Sequence, residues 1–281
     1  MPARFTWSKL ASTKWEDAWV ERLQFLGPAR LAIFSLPGSR RIRIEAYGLN
    51  ARDGDRLVAA FGGQLRKMKP DALFMASDEN TAPLLIRDRL VVVRSARAAK
   101  AAARIRPGRP LLIIPAAMAF GTGDHATTAT CLRMVSDFAA ARVGPWEALD
   151  LGTGTGILAL AARLLGAARC DAWDFDPACI RATRDNTRLN GLRNVPAARV
   201  DVTQWTPTRQ WDLVTANLYS EMLVKVHSRI AAAVKPGGRL ILSGMLAPQA
   251  DATLAAFKTQ GLTFERIVKK GKWVTAIAAL R

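Results

Sequence analysis

One segment constrains the fold of this chain more than any other: Asp150-Leu-Gly152-Thr-Gly154-Thr-Gly156, between the strand-like run WEALDL and the apolar helical run ILALAARLLG. A glycine-rich turn from strand to helix gathers backbone N–H groups and a helix N-terminus at one point. Doubly wound α/β proteins hold their cofactors there. From residue 111 onward the pattern alternates in the same way, with RCDAWDFD, AARVDV, WDLVTANL and RLILSGML as strands separated by helical stretches, and the chain closes on a hairpin, TFERIVKKGKWVTAIAAL. Successive β-α units imply a mainly parallel sheet with its ligand at the carboxyl ends of the strands.

Spacing separates the cofactors that such a loop can hold. A dinucleotide fingerprint needs a glycine at position 157, which is Ile, and the P-loop pattern with its Lys-Ser/Thr pair does not occur. Acid-x-Gly-x-Gly-x-Gly is the loop associated with S-adenosylmethionine, where glycines let the backbone pass close to the methionine part. Asp174, 18 residues past Gly156, ends the next strand and suits ribose hydroxyls; Asp201, after AARV, suits an adenine amino group. Any one of these acids could equally cap a helix or a turn. Their order, each at a strand end, favours the cofactor. Asn217 ends the fourth strand, where the methyl group would be presented. It is followed by Leu218-Tyr219 rather than by the prolines of the Asn-Pro-Pro-Tyr turn used in base and glutamine methylation.

The first part of the chain reads as a small α+β unit, residues 1–95: a helix over 14–25, a strand–turn–strand over 29–47, a short helix closed by Gly62-Gly63, and the strand RLVVVRS. Residues 96–110, rich in Ala and Arg and ended by Pro-Gly, read as a basic helical linker on the surface, before a cofactor domain at 111–281. The net charge is +18, and residues 1–110 carry 21 Lys and Arg against 10 Asp and Glu, a balance of +11. Such a field favours polyanions, so the basic N-terminal half could contact ribosomal RNA; a generally basic, solvated surface explains it equally well. Three scattered cysteines, no clustered Cys/His pattern, no apolar run long enough for a bilayer and no secretory signal together suggest a cytoplasmic protein without a structural metal or a membrane partner.

A second glycine-rich stretch, AFGTGDHATTATCLRMV, precedes the first by about thirty residues. Taken with LDLGTGTGILALAARLLGA, DFDPACIRATRDNTRLNG, VTANL and PGGRLILSGML, it resembles the ribosomal protein lysine methyltransferase family, PrmA, over residues 110–281. The resemblance implies a doubly wound, seven-stranded, Rossmann-like methyltransferase domain. It also implies S-adenosylmethionine as cofactor and, as substrate, lysine side-chain or N-terminal amines of large-subunit ribosomal protein L11, recognised by the N-terminal domain. Carried over residue by residue, Thr128 would contact the cofactor, with Gly152 and Gly154 on its methionine side, Asp174 on its ribose and Asn217 near the transfer point. Phe120 would cover the cofactor or line the lysine channel. Asp124 and Ala126 depart from the family's Thr-His-Pro-Thr-Thr and put a carboxylate near the mouth. His125 is a candidate base, although a lone histidine in a helix-capping loop is more often structural, and His227 reads as a packing or surface residue within a helix. Two other readings remain: a related methyltransferase with a different protein target, as in the mitochondrial-type relatives that modify an electron-transfer flavoprotein, and an RNA-binding module that keeps S-adenosylmethionine only as a ligand.

Overall fold

A computed structural model describes residues 5–23, 26, 30–35, 39–67, 82–115 and 125–281. The described chain forms two compact units, residues 5–67 and residues 82–115 with 125–281.

In the first unit, strands β1 (Phe5–Ser12), β2 (Leu31–Ser35), β3 (Arg41–Leu49) and β4 (Gln64–Lys67) form one antiparallel sheet in the order β2-β3-β1-β4. Helices α1 (Glu16–Leu23) and α2 (Ala51–Phe61) accompany it. Period-two alternation decides which face of β3 is core: Ile42 and Ile44 are buried, while Arg41 and Arg43 face solvent. Trp7, Trp19, Leu23, Leu49 and Leu57 complete this core, each worth roughly 1.5–3 kcal/mol of burial. Asn50 caps α2 by accepting the Asp53 N–H, and Gly62 ends that helix at φ +66°, as the Gly-Gly pair implies.

The second unit carries a seven-stranded sheet, as expected. Strands β8 (Glu147–Leu151), β9 (Arg169–Asp174), β10 (Ala197–Arg199), β11 (Trp211–Asn217), β12 (Val234–Leu246), β13 (Leu262–Lys270) and β14 (Trp273–Leu280) lie in the order β10-β9-β8-β11-β12-β14-β13. The first five are mutually parallel, and the closing hairpin adds β14 and β13 antiparallel. Strand order reverses between β8 and β11, which opens a crevice at their carboxyl ends.

The domain boundary differs from the expectation at residue 95. Strands β5 (Leu84–Ile86), β6 (Leu90–Val93) and β7 (Leu111–Ile113) form a small sheet, so RLVVVRS pairs across the expected linker with a strand of the cofactor domain. Ile86, Leu90, Val92, Leu112 and Ile114 share one buried cluster with Leu132, Val135 and Leu158. The boundary therefore falls between residues 67 and 82. Residues 96–110 are also more than a surface connector. Helix α3 (Ala96–Ile105), capped by Ser95, turns Ala99 and Ala102 into a cluster with Val91 and Val93, and leaves Lys100 and Arg104 in solvent. Alanine supplied a packing face there as well as helix propensity. Among the described residues, no helix is long and apolar enough to cross a membrane.

Candidate functional site

Asp150 is the acid that opens the glycine loop, and it faces inward. It is 2% exposed and accepts hydrogen bonds from Thr153 Oγ1 at 2.7 Å and Thr215 Oγ1 at 2.6 Å. Burial pushes its carboxyl up to about 6, against the lowering effect of the two hydroxyls. The acid thus ties the loop to β11 from beneath. The loop is further fixed by Gly152 N–H and Thr153 N–H, both donated to the Trp173 carbonyl at 2.9 and 3.0 Å.

Helix α6 (Pro177–Leu189), the next after α5 (Ile157–Leu164), holds the loop from the other side. Thr183 Oγ1 donates to the Gly154 carbonyl at 3.1 Å, and Asn186 Nδ2 donates to the Thr155 carbonyl at 2.8 Å. One turn on, Asn190 accepts the Ile113 N–H at 2.7 Å and donates to the Ile113 carbonyl at 2.8 Å. This row at i, i+3 and i+7 went unread in the sequence. Its signal was three polar residues on the face of an amphipathic helix that should be apolar.

A cleft of about 300 Å³ lies at the strand ends, lined by residues that include Gly152, Asp174, Phe175, Asp201, Leu218 and Met222. Asp174 ends β9, and its two oxygens accept the Gly154 and Asp176 N–H groups, each at 2.9 Å. A carboxylate oxygen has two lone pairs, so each can still receive a hydroxyl. Asp201 lies two residues beyond β10 and takes the Thr203 N–H and hydroxyl on one oxygen, at 2.9 and 2.7 Å. The Thr203 hydroxyl foremost, with its N–H, holds that carboxyl below its usual value. Asp201 therefore forms a turn and also borders the cleft. Behind this wall Trp173, Trp205 and Trp211 meet edge to face or tilted, at 5.1, 5.4 and 6.3 Å between centroids.

Two glycines make room for Leu218. A Cβ on Gly152, at φ +71°, would fall inside the Leu218 side chain, and one on Gly244, at φ +87°, would fall on the Leu218 carbonyl. Leu218 N–H also donates to the Ser243 carbonyl at 3.0 Å. Gly244, a glycine inside a strand, was the sequence signal for this close approach.

Asn217 ends β11 immediately before Leu218. Its Nδ2 donates to Thr127 Oγ1 at 3.3 Å, while its Oδ1 is buried without a hydrogen-bond partner. Thr127 and Thr128 open helix α4 (Ala126–Ala141), and Thr128 Oγ1 is likewise buried and unpartnered. Buried polar atoms without partners are few in native proteins, and the pair at the end of β11 and the start of α4 makes this a candidate place for a ligand. The site suits a nucleoside with a polar tail: carboxylates for hydroxyl and amino donors, apolar Phe175, Leu218 and Met222 beside a flat ring, and a side-chain-free floor at Gly152. Gly152, Asp174 and Asp201 border one cleft, and Gly154 adjoins it through Asp174. Asn217 meets Thr127, the residue before Thr128 on α4. Phe120 and Asp124 lie outside the described residues. His125 caps α4, and His227 sits mid-helix with Nδ1 2.7 Å from the Val224 carbonyl oxygen. Cys131, Cys170 and Cys179 are free, buried thiols, and burial pushes each of them up.

The model of the ribosomal protein L11 methyltransferase (PrmA) family matches residues 61–281. The chain is 40% identical over 176 residues to the ribosomal protein L11 methyltransferase of Rhizobium meliloti (strain 1021), over 61% of this chain and 60% of that one. It is 37% identical over 198 residues to the corresponding protein of Chromohalobacter salexigens, over 70% of this chain and 62% of that one. The match thus spans about three fifths of the length of these relatives. A crystal structure of ribosomal protein L11 methylase from Lactobacillus delbrueckii subsp. bulgaricus superposes with a TM-score of 0.60 at 21% identity, covering 72% of this chain and 100% of that one. At that identity the likeness establishes the fold.

Proposed function

The chain belongs to the ribosomal protein L11 methyltransferase (PrmA) family, and from that premise we propose that it transfers methyl groups from S-adenosylmethionine to lysine side-chain or N-terminal amines of ribosomal protein L11. The observation that carries this reading is the cleft at the strand-order reversal, lined by Gly152, Asp174, Asp201 and Leu218, the residue after Asn217, whose Oδ1 is buried without a hydrogen-bond partner. Gly152 and Gly154 give the methionine part its backbone floor, Asp174 receives the ribose hydroxyls, and the free oxygen of Asp201 takes the adenine amino group. Thr128 supplies a further hydroxyl from the first turn of α4. When bound, S-adenosylmethionine supplies a methyl group on a sulfonium, which the amine nitrogen takes as the carbon–sulfur bond breaks and its electron pair stays on sulfur.

The chain's own task is to deliver a neutral amine in line. A free lysine has a pKa near ~10.4 and must lose its proton to water before it can attack. An apolar channel beside a positive charge lowers that pKa by desolvation and like-charge repulsion. Alignment is then the main contribution, worth several orders of magnitude in rate, and Asn217 orients the amine. The basic first unit extends the proposal. Arg41 and Arg43 on β3, with Arg66 and Lys67 on β4, are exposed and suit contact with the substrate protein or with ribosomal RNA phosphates. With a ribosomal target, its place of work is the cytoplasm.

The test is methyl transfer from tritiated S-adenosylmethionine into cell extract, with mass spectrometry of the labelled proteins. Label on ribosomal protein L11 is the expected result. Label on another protein moves the target, and no protein label with cofactor bound overturns the reading. Asn217→Ala should lower turnover about 100-fold while cofactor affinity is largely kept.

A further inference from the structure

A run of hydrogen bonds joins the start of α4 to the end of β11, and it has one polarity. His125 Nδ1 lies 2.7 Å from Thr127 Oγ1 and 3.4 Å from the Thr127 backbone nitrogen. A backbone N–H can only donate, and the residue capping a helix must offer an acceptor to the unpaired N–H groups of the first turn. Nδ1 is therefore the bare nitrogen of a neutral ring protonated on Nε2. The Thr127 hydroxyl then spends its single proton on Nδ1, and it can only accept from its other neighbour. That neighbour is Asn217, 3.3 Å away, so the end facing Thr127 must be the NH₂ group. The amide oxygen is turned the opposite way, to where it is buried without a hydrogen-bond partner.

We propose that His125 and Thr127 are positioning residues for amine transfer, locking the Asn217 amide so that its oxygen accepts an N–H of the incoming amine. This rests on the methyltransferase reading above. A flipped amide would present N–H donors, which would hydrogen-bond the nitrogen lone pair and withhold it from the methyl carbon. With an oxygen there, one amine hydrogen is held and the nitrogen lone pair is left to aim at the methyl carbon. His125 acts here as an acceptor rather than as a base. The Trp273 ring, at 5.0 Å and 70° to the imidazole, holds it against rotation. Burial first, then the charge of Lys272, lower its pKa and favour the neutral ring that the chain of bonds needs.

The chain has two histidines, which makes the test direct. His227 Nδ1 faces a carbonyl oxygen at 2.7 Å and must carry its proton there, the opposite tautomer. A two-bond proton–nitrogen correlation spectrum of the cofactor-free protein at mildly alkaline pH, assigned with His227→Gln, should show His125 protonated on Nε2 and His227 on Nδ1. Finding His125 protonated on Nδ1 overturns the proposal. In the kinetic arm, Thr127→Val keeps shape but removes the hydroxyl, and should lower kcat about 10- to 100-fold with KM for S-adenosylmethionine within about twofold. Thr127→Ser should restore most of that loss. A Thr127→Val enzyme within about twofold of wild-type kcat, or a Thr127→Ser enzyme as slow as the valine variant, also overturns it. If the wild-type chain labels no protein, the methyltransferase reading fails, while the tautomers still decide the polarity of the network.

Discussion

Asp150 stands under the glycine loop with no solvent to support its charge, and the pH dependence of folding should report it. A carboxyl raised to about 6 in the folded chain binds its proton more tightly than in the unfolded chain, where the value is 3.8. Its favourable contribution is therefore fully present below pH ~4 and is lost as pH rises through about 6, a change of roughly 3 kcal/mol. Asp150→Asn can accept from one threonine hydroxyl and donate to the other, so it should fold without that penalty. Denaturant unfolding of both proteins from pH 4 to 7 should show the wild type losing ground to the variant across this window. A constant difference would mean that the carboxyl is not desolvated as its burial implies. The positions of the motif acid, Asp174 and Asn217 at strand ends were legible, because there local pattern and chain order coincide. The orientation of the Asn217 amide was not legible, because it depends on His125 and Thr127, which lie about ninety residues away in sequence.

At the scale of elements, α6 shows what periodicity reads and what it leaves out. Its start at Asp176-Pro177 and its end near Gly191 follow ordinary capping rules. The inward turn of Thr183 and Asn186 does not, since a buried polar face becomes favourable only when another segment presents carbonyls to it. Asn186→Ala should cost about 1–3 kcal/mol of stability. It should also weaken cofactor binding, because the loop that Asn186 holds forms the cleft floor. Asp185→Ala, one residue away on the exposed face and paired with Arg188, should change stability by less than about 0.5 kcal/mol. Urea unfolding and calorimetric titration with S-adenosylhomocysteine check both. Equal effects at the two positions would remove the special role given to Asn186.

For the whole molecule, the boundary between units is the feature that sequence order concealed. Chain order groups RLVVVRS with the strands before it, yet β6 pairs with β7 and shares the cofactor domain's core. Arg87, Arg89 and Arg266 converge on Asp137 of α4 from distant parts of the same unit, which reinforces that attachment. A chain beginning at residue 82 should unfold cooperatively and bind cofactor, whereas one beginning at residue 96 should expose Leu112 and Ile114 and aggregate or lose cooperativity. Thermal unfolding followed by circular dichroism separates the two, and equal behaviour would put the boundary back near 95. The sequence by itself determined the doubly wound sheet, the cofactor class and the strand ends that border the cleft, because period, glycine spacing and chain order are local and additive. Only the tertiary structure decided where the domain begins, what holds the glycine loop, and which atom of Asn217 meets Thr127. Those depend on strand pairing and on hydrogen-bond partners brought together from distant parts of the chain, and such choices have no local signature.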